Sequence, residues 1–184
     1  MNIYITPTIK KIKTEIYFCI DINLINFLKK TFKRTKIDFS ITIKNKPDLI
    51  VLTGGNNLIN FSKNKEDKVR DQINKNAFNY GIKKKIKIIG ICGGAQFLAK
   101  KFKSKVSKTT GHVGGHKIYL TKNSKIKSLN KSLFVNSYHN FSIKKISKEL
   151  CSAAISKDKS IEFFYHKKKK YNWNNVASRK IQKI

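Results

Sequence analysis

Cys92 stands among glycines in the run Gly90-Ile91-Cys92-Gly93-Gly94, and a thiol in that frame is suited to attack on a carbonyl. Glycine allows backbone angles that lift a reactive atom above a sheet edge, as a nucleophile elbow requires. A helix beginning at this point would bias the thiol towards thiolate through its dipole. Upstream lies a second glycine turn, Thr53-Gly54-Gly55-Asn56-Asn57, and backbone N–H groups of Gly55 and Gly93 would bind the oxyanion of a tetrahedral intermediate. The chemistry indicated is acyl transfer at an amide carbonyl. Taken by itself, Gly-Ile-Cys-Gly-Gly fits equally well a tight strand-to-helix turn around a small buried cysteine, so the flanking elements must decide.

Those elements favour a reactive turn. Ile86 to Ile91 has the β-branched density of a buried parallel strand, and Ala95, Leu98, Ala99 and Phe102 then recur at helical spacing. Asp48 to Leu52 is a second buried strand, running into the Thr53–Asn57 turn. Between the two, Val69, Ile73 and Ala77 predict a helix over Glu66 to Tyr80 that stops at Gly81. Strand, turn, helix, strand, turn, helix puts both glycine turns at the same edge of a parallel sheet. The Thr53 turn is no phosphate loop, because no Gly-Lys-Ser/Thr follows it. Earlier in the chain Asn2 to Thr6 reads as a first strand. Asp21 to Arg34 reads as a helix capped by Asp21, with Ile25, Leu28 and Phe32 on one face. Ile37 to Ile43 alternates like a half-exposed strand, whereas Thr8 to Cys19 shows no clean period. After Phe102, short strands are expected at His116–Thr121, Leu133–Asn136, Cys151–Ile155 and Ile161–Tyr165.

Composition narrows the function classes. A chain of 184 residues is most simply one domain, 1–184, with a single sizeable core. No apolar run reaches membrane-spanning length and no signal-peptide order opens the chain, so a cytoplasmic protein is expected. Cys19, Cys92 and Cys151 are odd in number and far apart, which suits neither a disulfide scaffold nor a zinc site. The net charge of +31 invites a nucleic-acid reading, but the lysines are scattered, as an A/T-rich coding sequence produces, and no aromatic-plus-basic recognition motif accompanies them. Such a surface would still attract an anionic, nucleotide-linked substrate.

Four blocks in order resemble the class I glutamine amidotransferases, and among them the stand-alone gamma-glutamyl hydrolases: Leu-Thr-Gly-Gly-Asn-Asn from Leu52, Gly-Ile-Cys-Gly-Gly-Ala-Gln from Gly90, Gly-His-Val-Gly-Gly-His from Gly111 and Val-Asn-Ser-Tyr-His-Asn from Val135. Ser-Lys-Asp-Lys-Ser-Ile-Glu, ending at Glu162, adds a fifth. The resemblance implies a flavodoxin-like three-layer α/β fold with a mostly parallel central sheet. It implies hydrolysis of a gamma-glutamyl amide through a thioester on Cys92, with Gly55 and Gly93 as the oxyanion hole. Gly54, Gln96, Asn136, Ser137, Tyr138 and His139 would bind the gamma-glutamyl group. Neither metal nor organic cofactor is implied. Compact length and the Ser-Tyr-His-Asn-Phe run resemble most the hydrolases of gamma-glutamyl-CDP-amidate, which serve capsule phosphoramidate synthesis, with hydrolases of gamma-glutamyl-gamma-aminobutyrate as the alternative. A second alternative is an ammonia-supplying glutaminase with a synthetase partner. A third is a catalytically dead remnant.

The last alternative arises because the chain departs from the pattern. The position after the nucleophile, commonly Arg in the family, is Gly93. A cysteine nucleophile also needs a general base oriented by a carboxylate, and the family's C-terminal Trp-His-Pro-Glu block does not occur here. After a lysine run the chain reads Tyr171-Asn172-Trp173-Asn174-Asn175-Val176-Ala177-Ser178-Arg179-Lys180. That segment can be written with the codons TAT AAT TGG AAT AAT GTG GCA TCC AGA AAG. With the first T dropped they encode Ile-Ile-Gly-Ile-Met-Trp-His-Pro-Glu. Residues 171–184 therefore read as the product of a one-base frameshift at a poly-A tract. Of the histidines present, His112 and His116 flank glycines without a third metal ligand in view, His139 sits in a loop, and His166 beside the lysines is expected in solvent.

Overall fold

The computed structural model describes residues 1–62, 64–109, 113–125 and 131–167. The lysine run, the 171–184 tail and His112 lie outside the described residues, and so do Thr110 and Gly111 at the start of the third motif block.

The Cys92 turn rests on a parallel sheet. β1 (Asn2–Ile5), β4 (Lys36–Asp38), β5 (Leu49–Leu52) and β6 (Lys87–Gly90) form a four-stranded sheet in the order β4-β1-β5-β6, and all three pairings are parallel. Side chains alternate across it as strand geometry demands. Ile3, Ile5, Leu49, Val51 and Ile91 face α1 (Ile22–Thr31), whose Leu28 is buried against them. Tyr4, Ile50, Leu52 and Ile88 face the opposite way, with Ala77 of α2 (Lys65–Lys83) and Leu98 of α3 (Gly93–Lys101). Helix, sheet and helix make the three expected layers. Asp21 caps α1 as its sequence predicts, accepting from the Asn23 N–H at 2.9 Å.

A second sheet packs beyond α3. β7 (Lys105–Lys108), β8 (Val113–Leu120), β9 (Ser132–Tyr138), β10 (Phe141–Lys145), β11 (Leu150–Ser156) and β12 (Ile161–His166) run in the order β7-β10-β12-β11-β8-β9, with antiparallel pairing. One core cluster joins the two sheets, because Leu52, Leu98, Ile143, Leu150 and Phe164 belong to it. The central parallel sheet is therefore as the resemblance implies. The antiparallel sheet is an addition that periodicity alone did not separate.

Other expectations need correction. The helix does not stop at Gly81 but runs on to Lys83, because Gly81 lets it lie close on the sheet: a Cβ there would stand 2.6 Å from Ile88 Cδ1. The strand expected over Ile37 to Ile43 is only β4, Lys36–Asp38. Thr8 to Cys19 forms a hairpin, β2 (Thr8–Ile12) and β3 (Glu15–Cys19), whose period is obscured because Ile12, Ile16, Tyr17 and Phe18 are exposed.

Candidate active site

Cys92 sits where β6 ends and α3 begins, with φ 52° and ψ −115°. Positive φ is costly for a residue bearing a Cβ and marks a strained turn. Gly90 and Gly94 make the turn feasible. A Cβ on Gly94 would lie 2.0 Å from the Leu52 carbonyl oxygen, and one on Gly90 would lie 2.7 Å from the Gly94 carbonyl. The thiol is half-buried, not sealed in the core, and it forms no disulfide.

The second turn is pressed directly onto the first. A Cβ added to Gly54 would stand 3.1 Å from Cys92 Sγ and 3.0 Å from the Gly93 nitrogen, and a Cβ on Gly93 would meet the Gly54 α-carbon at 3.3 Å. The two glycines thus bring their backbones into contact beside the thiol. Gly55, exposed and at φ 104°, lies next in the turn.

Side chains on three sides lock this second turn. Thr53 Oγ1 donates to the Thr6 carbonyl at 2.8 Å, and the Thr53 N–H donates to Thr6 Oγ1 at 3.1 Å. Thr8 Oγ1 donates to the Gly54 carbonyl at 2.7 Å. The Asn56 amide pairs with both backbone groups of Ile9, at 2.8 Å each. Asp67 accepts from the Asn57 N–H at 3.0 Å. Arg70 reaches from α2 and donates to the carbonyls of Pro7 and Thr53 and, at 2.9 Å, to Thr53 Oγ1. The N–H groups of Gly54, Gly55 and Gly93, by contrast, donate to no acceptor among the described residues. Buried polar groups are normally paired. Three unpaired backbone donors close to one thiol can serve an anion.

The sequence-predicted residues on the second sheet form a separate group. Gln96, four residues past the thiol on α3, is buried, and its Nε2 donates to the Phe141 carbonyl at 2.7 Å. That bond fastens the β9–β10 turn, with His139 in it, to the helix that follows Cys92. Asn136, Ser137 and Tyr138 lie on β9, where they pair with Gly115, Gly114 and Val113. Asn136 Oδ1 and Ser137 Oγ are buried with no partner among the described residues. His139 Nε2 lies 3.9 Å from one oxygen of Glu162, and His116 Nε2 lies 3.6 Å from the other. Glu162 is 4% exposed, so its carboxylate is held between two imidazoles.

His166 is a correction. It is buried rather than in solvent, edge-on to Phe102 at 5.0 Å between centroids and 3.6 Å from Glu149. The alternation of β12, in which Glu162, Phe164 and His166 all point inward, places it there. Among the described residues no cluster of His, Cys, Asp or Glu is arranged to hold a metal ion, and no helix is long and apolar enough to cross a membrane.

Reading the sequence did not single out Thr8, Asn56, Asp67 or Arg70. Asp67, Arg70, Asp71 and Asn74 form an i, i+3, i+4, i+7 stripe, which is helical spacing, but charge hid the fact that it faces inward.

A strained cysteine turn at the carboxyl edge of a parallel sheet, pressed against a second glycine turn, belongs to a protein of the three-layer α/β class. The chain belongs to the class-I glutamine amidotransferase family, whose model matches residues 23–172. It is similar to the gamma-glutamyl-CDP-amidate hydrolase of Campylobacter jejuni subsp. jejuni serotype O:2, 36% identical over 132 residues. That match covers 72% of this chain and 62% of the relative's length. Among solved structures, a GMP synthase subunit protein of Thermoplasma acidophilum superposes with TM-score 0.70 at 24% identity, covering 97% of this chain and 83% of that one. A glutamine amidotransferase of Thermotoga maritima gives 0.69 at 14% identity, with 97% and 74% covered. At these identities the two structures establish the fold.

Proposed function

We propose that the chain, as one unit of residues 1–184, hydrolyses a gamma-glutamyl amide with Cys92 as nucleophile. The thiolate adds to the side-chain carbonyl, and the N–H groups of Gly55 and Gly93 hold the resulting oxyanion. The C–N bond then breaks, the amine leaves with a proton, and water cleaves the thioester to release glutamate. The observation that carries this reading is the open N–H groups of Gly55 and Gly93 beside the strained thiol, with Thr53, the Gly54 carbonyl, the Asn56 side chain and the Asn57 N–H of the neighbouring turn tied back.

Asn136, Ser137, Tyr138 and His139, with Gln96 holding their turn to α3, are assigned to the gamma-glutamyl group. The unpaired Asn136 Oδ1 and Ser137 Oγ support this, since one end of that group carries an ammonium. The similarity to the Campylobacter jejuni hydrolase supports gamma-glutamyl-CDP-amidate as the substrate, and with it a place in capsule phosphoramidate synthesis. The net charge of +31 suits a nucleotide-linked anion. Free cysteines suit the reducing cytoplasm. The hydrolase works without a synthetase partner in this reading.

The general base belongs to the tail in the alternative frame, where Trp-His-Pro-Glu follows the lysine run. The polypeptide as written forms the acyl-enzyme and turns over slowly. The deciding experiment treats the chain and its Cys92→Ser variant with diazo-oxo-norleucine, a glutamine-analogue electrophile, and follows Cys92 by mass spectrometry. Labelling of the first alone is expected, and an unlabelled Cys92 overturns the reading. Sequencing the poly-A tract tests the tail; codons that do not contain Trp-His-Pro-Glu in the shifted frame exclude that part.

A further inference from the structure

A guanidinium buried behind a glycine turn needs a reason. Arg70 is 3% exposed, and burial holds its pKa below the ordinary value, with the nearby Tyr4 acting in the opposite direction. No carboxylate neutralises it among the described residues. Its partners are two backbone carbonyls and the hydroxyl of Thr53. Taking a charge out of water for neutral partners is expensive even where hydrogen bonds offset part of the cost, so the geometry they fix is worth examining.

The acceptors show what is fixed. A trans peptide is planar, with its C=O and N–H pointing in opposite directions. The carbonyl of Thr53 shares its peptide with the Gly54 N–H, and Arg70 Nη2 holds that carbonyl at 2.5 Å. The carbonyl of Gly54 shares its peptide with the Gly55 N–H, and Thr8 Oγ1 holds that one at 2.7 Å. Both carbonyls are engaged from behind while both N–H groups remain open. A hydrogen bond accepted at one end of a peptide also polarises the other end, making its N–H a stronger donor in a low-dielectric setting. Thr8 further pins the turn by contact, because a Cβ on Gly55 would meet Thr8 Cγ2 at 2.6 Å.

We propose that Arg70 and Thr8 are positioning residues for the amide hydrolysis: Thr8, by donating to the Gly54 carbonyl, aims the Gly55 N–H at the oxyanion beside Cys92 and strengthens it as a donor, and Arg70, by donating to the Thr53 carbonyl, fixes the preceding peptide on which that aim depends. This rests on the function proposed above and deepens it, since it says what turns an ordinary glycine loop into an anion hole. Neither side chain touches the substrate.

The test compares two alkylating agents on Thr8→Val, Thr8→Ser, Arg70→Met and Arg70→Lys. Iodoacetamide requires only an accessible thiolate. Diazo-oxo-norleucine also requires its ketone oxygen to be held. Loss of an oxyanion donor itself costs about 100-fold or more, so loss of its support is expected to slow diazo-oxo-norleucine labelling about tenfold in Thr8→Val and Arg70→Met. Iodoacetamide labelling of Cys92, resolved from Cys19 and Cys151 by peptide mass spectrometry, should stay within about twofold of the parent, since the oxyanion hole takes no part in that reaction. Thr8→Ser, which keeps the hydroxyl, should label like the parent, and Arg70→Lys should fall between. Equal losses towards both reagents, or a parental diazo-oxo-norleucine rate in Thr8→Val, overturn the proposal. Should Arg70→Met not fold, the Thr8 pair decides alone. A parent chain that diazo-oxo-norleucine never labels defeats the hydrolase reading and this inference together; a labelled parent with an unaffected Thr8→Val defeats this inference only.

Discussion

The two sheets contribute to the site in opposite ways. At the parallel edge the backbone offers open N–H groups beside Cys92, and side chains hold the turn that carries them: Thr8, Asn56, Asp67 and Arg70 all bond to the turn around Gly54 and Gly55. In the antiparallel sheet, side chains carry the polar groups and the strands serve as a frame, with Glu162 between His116 and His139 and with Asn136 and Ser137 unpaired nearby. An oxyanion hole needs donors placed to a fraction of an ångström, which short trans peptides supply at little entropic cost. Recognition of a glutamyl group calls for chemical variety, which only side chains offer. Crowding follows the same division, because a Cβ at Gly94 would strike backbone whereas one at Gly115 would strike the ring of a half-exposed Phe134.

The largest expected effect is at the thiol. Cys92→Ser should abolish labelling at position 92 by both alkylating agents, with Cys19 and Cys151 still open to iodoacetamide, while leaving the melting temperature within about 2 °C of the parent, because the change is nearly isosteric. Next comes Gly94→Ala, whose methyl has no room beside the Leu52 carbonyl. It should cost about 3 kcal/mol in chemical denaturation, and a neutral outcome would remove the claim that the parallel edge is the rigid one. Glu162→Gln should cost about 1–3 kcal/mol, because it takes the carboxylate from two imidazoles in a buried site, and iodoacetamide should still reach Cys92 at the parental rate. Gly115→Ala should stay within about 1 kcal/mol, since Phe134 can swing outward. A cost like that of Gly94→Ala would erase the contrast between the sheets.

The smallest effect concerns alkaline pH. Burial, with Asp38 nearby, pushes the Tyr4 phenol up to about 12, against an ordinary value of 10.0, while Arg70 pulls it down. The folded state thus keeps the neutral phenol, which donates to the Ser40 carbonyl at 2.9 Å. Because the folded pKa is the higher one, this contribution is whole below pH 10 and is lost as pH rises to about 12. Tyr4→Phe should flatten that part of the stability curve, measured by denaturant titration at stepped pH.

The chain by itself determined the strand and helix around Cys92, both glycine turns and their shared edge, because each is a local pattern whose spacing dictates its backbone. The family blocks were legible for the same reason. Tertiary structure alone decided that Arg70 and Asp67 lie inside, that Thr8 backs Gly55, that Gly81 lies within its helix, and that His166 is covered. It alone joined His116, His139 and Glu162, which are brought together from a strand, a turn and another strand. Burial and cross-strand partners depend on which surfaces meet when sheets pack, and charge and spacing along a chain carry little of that information.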